Sequence, residues 1–77
     1  SQTPNGTFAI PPIVLPPHQT SAKVFSFIHQ ELEIAINQDD SSIKLSLKKD
    51  DQELDVVCGI ADFEKVSAAG WANKRTA

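Results

Sequence analysis

Apolar and polar residues alternate most regularly between Ile43 and Cys58. Ile43, Leu45 and Leu47 alternate with Lys44, Ser46 and Lys48, and Leu54, Val56 and Cys58 alternate with Glu53, Asp55 and Val57. A period of two puts each set on one face of a pleated strand, so this segment predicts an antiparallel hairpin with one apolar face. A turn centred on Asp50-Asp51 pairs Leu47 with Leu54, Leu45 with Val56 and Ile43 with Cys58 inside, and Lys48 with Glu53 outside. Slipping by one residue would turn lysines inward, so burial fixes the register. Asp-Asp lacks the glycine of an ideal two-residue turn, and the expectation is therefore a four-residue loop, Lys49 to Gln52.

Upstream, Val24, Phe25, Ile28, Leu32, Ala35 and Ile36 fall on one stripe at about 100° per residue, with Lys23, Ser26, His29, Gln30, Glu33 and Asn37 opposite. Glu31 to Asn37 also alternates as a strand would, and Phe27 and Ile34 sit off the stripe. The unbroken run from Thr20 to Asn37, free of glycine and proline, favours a helix capped by Thr20 or Ser21 and stopped by Asn37-Gln-Asp-Asp-Ser-Ser42. Past Gly59 a second, short helix is predicted. Asp62 lies near its positive end, Ile60, Phe63 and Val66 face inward, and Gly70 ends it, with Trp71 against Val66 in a Schellman stop. The segment Asn73 to Ala77 reads as a polar tail.

All five prolines, Pro4, Pro11, Pro12, Pro16 and Pro17, precede residue 20. Each fixes its own backbone and pushes its predecessor toward extended geometry, so residues 1–19 form an extended arm, with a short strand over 7–10. The chain therefore divides into that arm and an α-β-β-α body over 20–77. The expected fold class is α+β: a small two-layer (β)-α-β-β-α sandwich around an antiparallel hairpin, with both helices on its apolar face. A two-stranded ribbon is marginal alone, so a third strand must come from the arm or from a second copy.

The length of 77 residues allows one small core. The charge-free stretch Ser1 to Ala22 is broken by prolines and predicts neither a membrane span nor a leader peptide. A single cysteine forms no internal disulfide, which points to a reducing, cytoplasmic setting. The net charge of −3 argues against a polyanion as the main partner.

The residue types that carry chemistry are sparse. Cys58 on the inner hairpin face reads as a small hydrophobe rather than a nucleophile served by His29 or His18. Asp39-Asp40 and Asp50-Asp51 lack the alternating acids, glycine and distant glutamate of a calcium loop, and no metal-ligand spacing occurs. Gly6, Gly59 and Gly70 are isolated, so no phosphate loop exists. Asn5-Gly6-Thr7 matches a glycosylation triplet without other marks of secretion. No catalytic residue, cofactor or metal is expected.

The remaining feature is misplaced apolar surface: Phe8, Ile10, Ile13, Val14 and Leu15 in the arm, Phe27 and Ile34 off the helix stripe, and Trp71 near a chain end. Two destinations fit it, the arm's own body or another protein. Apolar patches beyond a few hundred Å² seldom stay exposed on monomers. The expectation is a non-enzymatic interaction module, a small subunit, adaptor or inhibitor, that binds another protein and itself through the arm and first helix, using those eight residues. The spacing Pro12 to Pro16 is not that of an SH3 ligand. The alternative is a nucleic-acid-associated regulator using Lys44, Lys48, Lys49, Lys74 and Arg75, although interleaved acids and absent stacking aromatics oppose it.

Overall fold

A computed structural model describes residues 6–15, 23–39 and 41–76. Asn5, His18, the caps Thr20 and Ser21, the end of the arm and Asp40 lie outside the described residues. The elements are β1 (Phe8–Ala9), β2 (Lys23–His29), β3 (Leu32–Gln38), β4 (Ser42–Lys49), β5 (Gln52–Gly59), α1 (Ile60–Ala69) and β6 (Trp71–Ala72). The chain is mixed α+β and mostly sheet. Strands β2-β3-β4-β5 form an antiparallel meander, and β1 pairs with β6 in a separate two-stranded ribbon.

The β4–β5 hairpin has the register read from its sequence, with Ile43 opposite Cys58, Leu45 opposite Val56, Leu47 opposite Leu54 and Lys48 opposite Glu53. Its loop is shorter than expected. Lys49 pairs with Gln52, leaving only Asp50-Asp51 between the strands. Asp50 takes φ +56°, the positive value that a two-residue hairpin turn demands and that aspartate tolerates better than most residues.

The expected first helix is not formed; its residues make β2 and β3. Leu32, Ile34 and Ile36 alternate inward, and Phe25 and Phe27 stand beside Ile36 and Ile34 on the same face. The two residues that fitted the helical stripe worst, Phe27 and Ile34, fit the strand period. Tertiary packing explains the preference. A helix would cover a bare two-stranded ribbon, whereas two more strands extend the apolar face until Ile34, Ile36 and Ile43 are wholly enclosed. The β-branched and aromatic content of the segment suits a pleated surface. The turn that divides it escaped detection because it has no glycine or asparagine. Gln30 and Glu31 occupy it with φ of +50° and +69°, the pair of positive angles of a type I′ turn. Left-handed backbone is costly for residues with a Cβ, so Glu31→Gly is expected to raise stability by about 0.5–1 kcal/mol. The check is a higher urea midpoint with an unchanged slope.

Between β3 and β4 the Asp39 carboxylate organises the turn. Its Oδ1 accepts the Ser41 N–H at 3.0 Å, the Ser42 N–H at 2.8 Å and the Ser42 hydroxyl at 3.2 Å. Backbone hydrogen bonds from Ser41 and then Ser42 hold this carboxyl below its ordinary value of 3.8. A depressed folded-state pKa contributes stability above the unfolded value and loses it as pH falls through the folded one. Asp39→Ala should therefore melt below the wild type at neutral pH, with the gap closing as pH drops below 3.8. Thermal melts across that range check this.

The second predicted helix is present as α1, with Asp62 in its first turn and Phe63 and Val66 buried. Gly70 ends it at φ +81°, and its N–H donates to the Val66 carbonyl at 3.0 Å. This is the single bond of the αL stop, and Trp71 turns away into β6 to pair with Ala9. The helix packs over β4 and β5. The arm is tied along it: Phe8 pairs with Ala72, the Ile10 N–H donates to the Gly70 carbonyl at 3.0 Å, and the Ile13 N–H donates to Ser67 Oγ at 2.8 Å. Ser67 Oγ donates back to the Ile13 carbonyl at 3.3 Å. Phe8 and Ile10 thereby enter the same core as Leu45, Val56 and Phe63, with Ile13 and Leu15 against its edge. Among the described residues the order is thus β-β-β-β-β-α-β, with one helix where the sequence suggested two.

Candidate interaction surface

The surface that stands out is built by β2, an outer strand of the meander. Backbone geometry fixes which of its groups are free. The Asp39 N–H donates to the Ser42 carbonyl, so alternate residues Asn37, Ala35 and Glu33 of β3 bond toward β4. The others, Gln38, Ile36, Ile34 and Leu32, bond toward Lys23, Phe25, Phe27 and His29 of β2. The N–H and C=O groups of Val24, Ser26 and Ile28 consequently point away from the sheet, unpaired among the described residues.

The side chains along this edge are apolar on both faces. Val24 and Ile28 project from the outer face at 71% and 70% exposure. Phe25 and Phe27 lie on the inner face where cover thins, and Phe27 is 37% exposed. From Val24 to Ile28 there is no charged residue and no proline. Natural edge strands usually carry charges, prolines or bulges that discourage pairing. The opposite edge, β5, does so: Glu53 and Asp55 stand on its outer face, within 3.8 Å of Lys48 and 4.0 Å of Lys44 respectively. Ser26, Ala35, Ser46 and Asp55 run across the outer face as a row of small side chains. They floor a shallow trough of about 420 Å³ that opens at Ser26 onto the β2 edge.

No family model matches the chain, and no curated protein or solved structure matches it.

Of the residues singled out from sequence as partner-binding, Phe27 lies on this edge. Phe8, Ile10 and Ile34 are core residues, and Ile13 and Leu15 are half-buried against the core. Val14 is exposed on the arm, and Trp71 is half-exposed beside α1. These residues do not converge on one patch. Val24 and Ile28 were missed because a helical period assigned them to the buried stripe, and a period of two would have placed them outside.

The basic residues named for nucleic acid are dispersed among acids. Lys44 and Lys48 face Asp55 and Glu53, and Lys49 flanks the β4–β5 turn. Lys74 and Arg75 line an open cleft of about 590 Å³ with Thr7, Gln52 and Glu53. Cys58 is buried at one end of the inner face, whereas His29 lies at the other, six residues or about 20 Å farther along the strand direction. Burial, and after it the Asp62 carboxylate, push the Cys58 thiol up from its ordinary value, so it stays protonated at neutral pH. Alkylation of Cys58 should be slow in the folded protein and fast in denaturant, as followed by mass spectrometry. Among the described residues no helix is long and apolar enough to cross a membrane.

Proposed function

We propose that this chain is a non-enzymatic protein-interaction module that binds by strand addition at β2. One observation carries the reading: among the described residues β2 is an unguarded edge, apolar on both faces, whose Val24, Ser26 and Ile28 backbone groups are aimed outward. An added strand supplies hydrogen bonds to those groups while its side chains meet Val24 and Ile28 on one face and Phe25 and Phe27 on the other. Phe8 and Ile10 of the arm belong to the module's own core, so the proposed contact surface moves from them to the sheet edge. The buried thiol and distant histidine support a binding role over nucleophilic chemistry.

Photo-crosslinking in the source cells tests this directly. A benzoylphenylalanine placed at Val24 or Ile28 should give protein adducts, and one at exposed Glu64 on α1 should not. Adducts absent from both β2 positions would retire the reading.

A further inference from the structure

We propose that the strand added at β2 is β2 of a second copy of this chain, joined antiparallel about a two-fold axis through Ser26. This rests on the interaction reading above and names its partner.

The sequence of the edge is nearly palindromic in character. Val24-Phe25-Ser26-Phe27-Ile28 presents aliphatic, aromatic, small, aromatic and aliphatic side chains whichever way it is read. Antiparallel partners face each other with inner side opposite inner side, which allows only registers that preserve the alternation. Centring on Ser26 pairs Val24 with Ile28 of the other copy, Phe25 with Phe27, and Ser26 with itself, over the full length of β2. Every outward backbone group of Val24, Ser26 and Ile28 then finds a partner, giving six hydrogen bonds. A shift by two residues in either direction leaves only four. Phe25 and Phe27 fall at the non-bonded positions, where opposing Cα atoms approach to about 4.5 Å and side chains touch most closely.

Charge selects this edge over the other. Pairing two β5 edges in the equivalent register, centred on Asp55, would set Asp55 against its own copy with each Glu53 diagonal to the other copy's Asp55, whereas β2 is neutral from Val24 to Ile28. Pairing β2 with β5 would be head-to-tail and would leave a free edge on each of two copies, whereas a two-fold β2 contact closes at two copies. The result is one continuous eight-stranded sheet. A contact limited to two seven-residue strands and their neighbours lies near the lower bound of specific interfaces, about 1,000 Å². The dimer is therefore weak, with Kd on the order of 10–100 µM.

Sedimentation equilibrium of the full chain between ~5 µM and ~1 mM tests the proposal, with circular dichroism confirming that each variant folds. The wild type should pass from monomer to dimer across that range. Ser26→Pro removes an outward N–H without touching the bonds to β3, and Val24→Lys with Ile28→Lys sets lysines opposite each other in both halves. Each should raise Kd at least about 10-fold. Val24→Glu with Ile28→Lys places opposite charges in register and should restore a dimer that weakens with salt. A wild type that stays monomeric at ~1 mM overturns the proposal. So does a dimer indifferent to the proline and the paired lysines, or one lost in the glutamate-lysine variant. Monomeric protein that still crosslinks through Val24 to a different protein would sink the second copy while leaving the interaction reading intact.

Discussion

Phe63→Ala is expected to destabilise the protein by about 3–5 kcal/mol. Phe63 is the only aromatic side chain that α1 buries, and 1% of it reaches solvent. It stands over β4 and β5, where Leu45, Leu47 and Val56 are equally enclosed. Removing the ring loses its transfer free energy and leaves a cavity that a sheet on one side and a short helix on the other cannot collapse to fill. A chain of this length has a total stability of roughly 4–12 kcal/mol, so one such loss consumes much of it. Urea unfolding followed by circular dichroism reads the result. A change below about 1 kcal/mol would mean that α1 is not the lid of this core.

The second large effect is expected from the arm. Phe8→Ala should cost about 3–5 kcal/mol and Ile10→Ala about 2–5 kcal/mol, so the double variant should be largely unfolded. Both residues are buried within the main cluster, at 5% and 6% exposure, and their backbone is fastened to Ala72 and Gly70. Val14→Ala, on a side chain open to water in the same arm, should stay within about 0.5 kcal/mol of the wild type. Amide NMR dispersion separates the outcomes. Collapse of dispersion in the double variant identifies the arm as core, whereas a folded variant of lower solution mass would identify it as an interface. This contrast matters for function, because arm residues committed to the core are not available to a partner, whereas Val24 and Ile28 of β2 stay exposed.

How legible the molecule was depended on the range of the interactions that decide each part. The β4–β5 hairpin was readable in full register, because lysines and glutamate outside and aliphatics inside leave one pairing that buries the right face. The end of α1 was readable because Gly70 is the residue that takes positive φ without strain. The loop between β4 and β5 was misjudged because Asp50 accepts an angle for which glycine is the usual choice. The first helix was misjudged for the same reason on a larger scale. Without a turn residue at Gln30-Glu31, Thr20 to Asn37 looked continuous, and a continuous run of that length reads as helix. The β2 edge was hidden by that error, since the helical period turned Val24 and Ile28 inward.

What the amino-acid sequence determined by itself is the local half of this protein: one lysine-bearing hairpin with a single apolar face and one short helix stopped at Gly70. Those features follow from period and turn chemistry, which act over a few residues. Only the tertiary structure decided that Lys23–His29 and Leu32–Gln38 are strands, that Phe8 and Ile10 lie in the core, and that, among the described residues, β2 ends the sheet with the backbone groups of Val24, Ser26 and Ile28 unpaired. The physical reason is that a segment able to satisfy two periods adopts the one that encloses more apolar surface. How much it encloses is set by β4, α1 and the arm, elements distant in the chain.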